Sequence, residues 1–217
     1  MTPAAGTLAS RVCRIGVCAF AASACAPSGL GVVPRYPYVE DSGLALAHEQ
    51  LNLRIGRDDS VQVEALFQFE SRGRAKNRIA TFPIGGPRGA CRDFHAEVLG
   101  SASRSVRVAR GEAGSLPVGN AAETWDLWLR AADFEAPQSW LAVRYVQPGT
   151  GDFGYVLKSG AYWHGPIRTL RVVLHDPHAR AAAMIVEGKR VASLGRPHTV
   201  IELRDIEPES GVQVELR

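Results

Sequence analysis

One short cluster of residue types could bind a metal ion, at His175-Asp176-Pro177-His178. Imidazole and carboxylate groups are common ligands of zinc and other transition metals, and a turn can bring them together. Four adjacent residues around a proline rarely aim three ligands inward, however, and Asp-Pro is a common turn former. We therefore expect this segment to form a solvated turn, with metal binding as the alternative.

Other patterns of catalytic residues are incomplete in this sequence. It contains neither a Gly-x-Ser-x-Gly nucleophile elbow nor a phosphate-binding loop. His48-Glu49 begins the zinc-protease motif, but Asn52 stands where that motif needs its second histidine. A carboxylate pair for glycoside hydrolysis could come from three acidic residues whose separation the sequence does not determine, namely Glu123, Glu135 and Asp152. We therefore predict no catalytic residue, no metal ligand and no cofactor.

Three aromatic positions are candidates for contact with a partner. Trp128 lies on the polar side of its predicted strand, where it would mark a partner surface or belong to a core between domains. Trp163-His164 lies where a predicted strand leads into a turn, and we expect the tryptophan to be buried in the core at the end of the sandwich. The alternative is an exposed ring on which a sugar or peptide stacks. A carbohydrate-binding module would need Trp128, Tyr162 or Trp163 exposed in one line.

The amino-terminal segment has the features of a secretory signal. Arg11 and Arg14 precede a 10-residue apolar run, Ile15–Ala24. This run is well short of the roughly 20 residues that span a bilayer. Its end, Ala22-Ser23-Ala24-Cys25, resembles the lipobox of bacterial lipoproteins. That resemblance implies a signal peptide over residues 1–24 and acyl chains, palmitate among them, on Cys25. It also implies an extracytoplasmic, membrane-anchored protein, at the outer membrane or the periplasmic face. Ordinary signal cleavage is the alternative.

The cysteines fit a lipid anchor. Cys13 and Cys18 would leave with the signal, and an acylated Cys25 would leave Cys91 without a disulfide partner. If Cys25 were free, a Cys25–Cys91 disulfide could form in the oxidising space outside the cytoplasm. We expect Cys91 to be a partly buried small residue and not a nucleophile.

Length and charge narrow the class of protein. Removing residues 1–24 from the 217-residue chain leaves 193, enough for one large domain or two small ones. The signal contains two arginines and no acidic residue, so the formal net charge falls from +3 to +1. A charge so close to zero argues against a general nucleic-acid binder. Residues 25–40 are rich in proline and glycine and are predicted to be a flexible tether.

Alternation of apolar and polar residues dominates the chain after the tether. Leu51, Leu53 and Ile55 share one face of a predicted strand, for example, with Asn52 and Arg54 opposite. About eleven such strands, separated by glycine and proline, predict an all-β protein, an antiparallel β-sandwich.

Two other features concern the organisation of the sandwich. A helical turn is plausible only near Ala179–Ala183. The loop Gly111–Asn120 is the natural hinge, which predicts sandwich halves at residues 41–112 and 113–217 that pack together; one continuous sandwich fits the pattern about equally well.

Several of these strands also carry a family resemblance. The stretches His48–Ile55, Val61–Glu70, Ile79–Ile84 and Tyr155–Ile167 resemble a bacterial extracytoplasmic family of unknown function. More distantly, the first three of these stretches, taken together, resemble the VIT (vault/inter-α-trypsin) β-domain. The resemblance implies a β-sandwich outside the membrane and implies no reaction.

These observations predict a lipid-anchored, non-enzymatic envelope protein that binds or scaffolds another envelope component. The expected partners are the membrane, through acylated Cys25, and another envelope protein or a glycan, with no nucleic acid. The alternatives are an envelope hydrolase acting on glycan or peptide, and a carbohydrate-binding module.

Overall fold

The computed structural model describes residues 44–71, 78–85, 91–100, 103–111, 123–134, 140–148, 152–157, 165–191 and 196–217. The predicted signal peptide, the tether and Cys25 lie outside these residues. Within them the chain is almost entirely β-structure, with a single short 3-10 turn at Ala131–Phe134, which confirms the all-β prediction.

The described residues form fourteen strands. In chain order they are β1 (Leu44–Ile55), β2 (Val61–Ser71), β3 (Arg78–Ile84), β4 (Arg92–Leu99), β5 (Arg104–Ser105), β6 (Arg107–Arg110), β7 (Glu123–Leu129), β8 (Trp140–Gln147), β9 (Phe153–Val156), β10 (Ile167–His175), β11 (Ala181–Val186), β12 (Lys189–Val191), β13 (His198–Ile206) and β14 (Gly211–Leu216). The helical turn that the sequence left open near Ala179–Ala183 does not form, because β11 begins at Ala181 and pairs with both β12 and β14.

The strands are arranged in three sheets. Sheet A has seven strands in the order β13-β10-β1-β2-β8-β4-β5, sheet B has the order β3-β7-β6, and sheet C has the order β12-β11-β14-β9. The pairs are antiparallel except β1 with β10, which run parallel. A parallel pair needs a long connection, and these two strands are separated by more than half of the described chain.

Sheets B and C pack on the inner face of sheet A. Phe82 of β3 meets three aromatic rings at centroid distances of 6.1 Å: Phe67 of β2 and Tyr145 of β8 in sheet A, and Tyr155 of β9 in sheet C. The alternation of side chains along a strand explains the apolar layer between the sheets: Leu51, Leu53 and Ile55, at every second position of β1, are all buried in this core. Burying one such side chain contributes about 1.5–3 kcal/mol.

Sheet A contains strands from both sides of the predicted boundary between residues 112 and 113. Strands β1, β2, β4 and β5 come from the first predicted half and β8, β10 and β13 from the second, so the two halves share this sheet. The described residues all belong to one compact unit. The predicted hinge lies outside the described residues except for Gly111. The described part of the chain contains no helix that is both long and apolar enough to cross a membrane.

Candidate functional site

A cleft of about 570 Å³ opens on the outer face of sheet A. Strand pairing forms one row of its lining, because residues directly opposite one another on neighbouring strands point to the same side of a sheet. Arg54 of β1 lies opposite Gln62 of β2 on one side and His175 of β10 on the other, and His175 lies opposite His198 of β13. Asp93 of β4 also lines the cleft.

Beside this row a chain of hydrogen bonds crosses four strands of the same face. Asn52 accepts a hydrogen bond from Gln50 and donates one to Glu64, each at 3.0 Å. Arg144 Nε donates to Glu64 Oε1 at 2.7 Å, and the Arg144 guanidinium also contacts Glu97. The hydrogen bond to Glu64 is the main cause of a raised pKa at Arg144. We call Gln50, Asn52, Glu64, Arg144 and Glu97 the polar ladder; its members satisfy one another.

Three further residues of the cleft are not engaged in this way. Within the described residues, the side chains of Arg54, Gln62 and Asp93 make no hydrogen bond or ion pair. Asp93 adopts φ 55°, where β4 shifts its register against β8 between Arg92 and His95. Such bulges redirect side chains, and non-glycine residues at positive φ concentrate at functional sites. Asp93 thus presents a carboxylate to a cleft that already holds an uncommitted guanidinium.

At one end of the cleft two imidazoles touch. The rings of His175 and His198 have a centroid distance of 4.3 Å and an interplanar angle of 86°, an edge-to-face contact between the last position of β10 and the first of β13. Desolvation lowers the pKa of His175, and the neighbouring charges of His198 and Arg54 lower it further. The neutral form of this imidazole is therefore favoured.

The segment His175–His178, for which metal binding was the alternative to a solvated turn, does not gather its side chains around one point. Asp176 is buried, and its two carboxylate oxygens accept the backbone N–H groups of Arg180 at 2.9 Å and Ala181 at 2.7 Å. His178 is exposed in the turn. The carboxylate therefore closes the turn into β11, and His175 faces a histidine of another strand. Among the described residues no group of three or more His, Cys, Asp or Glu side chains could hold a metal ion.

The candidate carboxylates have different surroundings in the described residues. Glu123 is buried, accepts a hydrogen bond from Trp125 Nε1 at 2.8 Å and forms an ion pair with Arg110, with Nε 3.0 Å from Oε1. Asp152 is exposed, and Glu135 lies outside the described residues. Glu123 therefore joins two strands of sheet B, β6 and β7.

Of the aromatic candidates, only Trp128 lies within the described residues, and Cys91 lies there too. Trp128 is half-buried, with the Arg107 guanidinium carbon 4.7 Å from its ring centroid. Tyr162, Trp163 and His164 lie outside the described residues. Cys91 is buried, and burial raises its pKa to about 12, with the charge of Glu123 adding to the effect. A thiol in this environment is a poor nucleophile at neutral pH.

Sequence reasoning missed one buried ionisable pair. Glu49 points into the core, where the Tyr155 hydroxyl donates a hydrogen bond to its Oε1 at 3.0 Å. Desolvation raises the pKa of Glu49 to about 8; the Tyr155 hydrogen bond opposes this rise and the charge of Glu187 adds to it. A signal was available, because Glu49 has the same strand parity as the inward-facing Leu51 and Leu53.

No protein-family model and no curated protein matches the sequence. Similar solved structures include yeast LTA4 hydrolase in complex with Bestatin, at 10% identity and TM-score 0.49, over 87% of this chain and 31% of that one. A mutant two-domain M1 zinc metallopeptidase bound to L-arginine has 15% identity and TM-score 0.43, over 83% of this chain and 44% of that one. An aminopeptidase N family protein from Idiomarina loihiensis has 11% identity and TM-score 0.44, over 77% and 29%.

The chain spans less than half the length of each of these proteins. At TM-scores below 0.5, the likeness supports no inference about activity. What the described residues define is a protein class: an all-β sandwich with a cleft, lined by both polar and apolar residues, on the outer face of its large sheet.

Proposed function

We propose that this chain is a lipid-anchored, non-enzymatic protein of the bacterial envelope that binds another envelope protein through the cleft of sheet A. The observation that carries the proposal is the bulge of β4, where Asp93 at φ 55° turns toward the cleft beside Arg54 and Gln62. A strained conformation next to uncommitted polar groups is typical of a binding site.

The chemistry of the cleft fits a polypeptide partner. Gln62 supplies an amide that can both donate and accept, Arg54 supplies donors, and Asp93 supplies acceptors. Beside them, the residues of the polar ladder are already hydrogen-bonded to one another. A partner can therefore bind without breaking hydrogen bonds within the protein. Charges of both signs suit a protein segment better than a uniformly charged polymer.

The anchor part of the proposal is supported by the lipobox-like sequence ending at Cys25. Several acyl chains on one residue give durable membrane attachment, whereas a single chain holds a protein only marginally. An anchored protein meets membrane partners at high local concentration, so a cleft of moderate affinity suffices.

Site-specific photocrosslinking in cells tests the binding surface. A photoreactive residue replaces Gln62 in the cleft or, as the control, Gln213, which is also an exposed strand glutamine but lies in β14 of sheet C. We expect one discrete protein adduct from position 62 and none from position 213. Adding Asp93→Asn should reduce the adduct, because asparagine tolerates the backbone conformation but removes the charge. Equal adducts from both positions would contradict the cleft assignment.

Membrane fractionation and intact mass of a Cys25→Ala variant test the anchor separately. The native chain should begin at an acylated Cys25 and sediment with membranes, and the variant should remain unprocessed. A soluble, unmodified native chain would refute the anchor. Turnover of a glycan or peptide that disappears on changing one cleft residue would favour the hydrolase, and a glycan adduct in place of a protein would favour the carbohydrate-binding module.

A further inference from the structure

We propose that His175 and His198 form a two-imidazole site for a divalent transition-metal ion at the end of the cleft. The inference concerns the cleft that we propose for partner binding, but it does not rest on that function. It rests on two observations. The pairing of β10 with β13 places His175 opposite His198, which is 23 positions further along the chain, and the two rings are in contact.

The backbone already places the two ligands correctly. His175 and His198 are directly opposite on antiparallel strands, where Cβ atoms are about 4.5–5.5 Å apart. Two imidazoles that share one ion at metal–nitrogen distances of about 2.0–2.1 Å have ring centroids roughly 5 Å apart. The observed separation of 4.3 Å is close to that value, and the edge-to-face orientation means that the rings must rotate to point a nitrogen each at one ion.

The chemistry selects the class of ion. Neutral imidazole is a preferred ligand of Zn²⁺, Ni²⁺ and Cu²⁺, with Cu²⁺ the strongest binder in the series, whereas Mg²⁺ and Ca²⁺ prefer oxygen. Two protein ligands leave coordination positions for water or for a side chain of a bound partner. The site is therefore an exchangeable one and differs from the closed four-ligand sites that stabilise a fold.

Charges near the pair act in opposite directions. Arg54 lies opposite His175 on β1 and repels a cation, while Asp176 follows His175 in the chain and attracts one. A substitution of Arg54 can therefore tell a metal site from an anion site. Removing its charge should strengthen binding of a metal ion and weaken binding of an anion.

Titration of the processed, untagged protein tests the site, using Cu²⁺ and Zn²⁺ alone as probes. We expect one bound ion, with two nitrogen ligands in the Cu²⁺ electron paramagnetic resonance spectrum. His175→Ala and His198→Ala should each weaken metal binding by at least about 10-fold. Mutating a residue that only hydrogen-bonds to a metal ligand already lowers metal affinity by about 10- to 100-fold. Arg54→Gln should tighten binding, and His178→Ala, in the exposed turn, should leave it unchanged.

Several results would overturn this proposal. One is binding that His178→Ala weakens as much as His175→Ala does, and another is binding that neither strand variant changes. A third is the absence of metal binding together with binding of inorganic phosphate that Arg54→Gln removes, which would identify an anion site. Circular dichroism melting of each variant separates these results from misfolding, and a failed crosslinking experiment at Gln62 would leave the metal titration interpretable.

Discussion

The hydroxyl of Tyr155 donates a hydrogen bond to Glu49 Oε1 at 3.0 Å, joining β9 of sheet C to β1 of sheet A. Both side chains are buried. This is a polar bond between the two layers of the core, and it keeps a carboxyl group where ionisation is costly. Burial raises the pKa of Glu49 to about 8 from its ordinary value of 4.5.

Stability should therefore depend on pH through Glu49. Between about pH 4.5 and 8 the folded protein keeps the proton that the unfolded chain releases. The contribution is complete below the unfolded pKa, and the free energy of unfolding falls by up to about 1.4 kcal/mol per pH unit as pH rises through this window. Glu49→Gln retains an acceptor for Tyr155 and should remove this part of the slope.

Urea unfolding at pH 5, 6, 7 and 8 measures the effect as the difference between wild type and Glu49→Gln. Tyr155→Phe is the companion variant: it removes the hydrogen bond that favours the ionised carboxylate, and so should extend the loss of stability to higher pH. Parallel pH profiles for wild type and Glu49→Gln would show that Glu49 does not titrate in this range.

The junction of sheets B and C should tolerate no side chain at Gly85. A Cβ added there would lie 2.6 Å from the backbone oxygen of Gly154, at the place where the end of β3 meets β9. Backbone cannot move away as a flexible side chain can, so Gly85→Ala should lower the free energy of unfolding by about 1–3 kcal/mol.

The reciprocal substitution is the matched control. A Cβ on Gly154 would meet no described atom within 4 Å, so Gly154→Ala should change stability by less than about 0.5 kcal/mol. Denaturant unfolding of the two variants side by side provides the measurement. Equal destabilisation by the two substitutions would mean that the loss of stability does not come from the close approach of the two backbones at Gly85.

Cys91 should be unreactive until the protein unfolds. Its thiol is buried with a pKa of about 12, so thiolate is scarce at pH 8. A thiol-specific chromogenic reagent should detect the Cys91 signal in denaturant only, and Cys91→Ser should remove that signal. A fast-reacting thiol that Cys91→Ser abolishes in the native protein would show that the site opens.

The sequence by itself determined the fold class and the face on which many side chains lie. Alternation depends only on neighbouring residues, so it predicted that Leu51 and Asn52 lie on opposite faces of their strand. Glu49 has the same parity as Leu51, but its burial was not predicted. The signal peptide and lipidation at Cys25 rest on local sequence alone and remain predictions. The alanines near Ala181 left a helical turn open, because alanine favours helix locally, but pairing with two strands at once outweighs that preference.

Only the tertiary structure decided which polar residues meet. His175 lies beside Arg54 and His198 because β10 pairs in parallel with β1 and antiparallel with β13, and the register of such distant strands cannot be read from local alternation. The same holds for Tyr155, which reaches Glu49 only because sheet C packs on sheet A. Periodicity assigns a residue to a face, whereas its partner on that face depends on register and sheet packing, which the whole chain settles together.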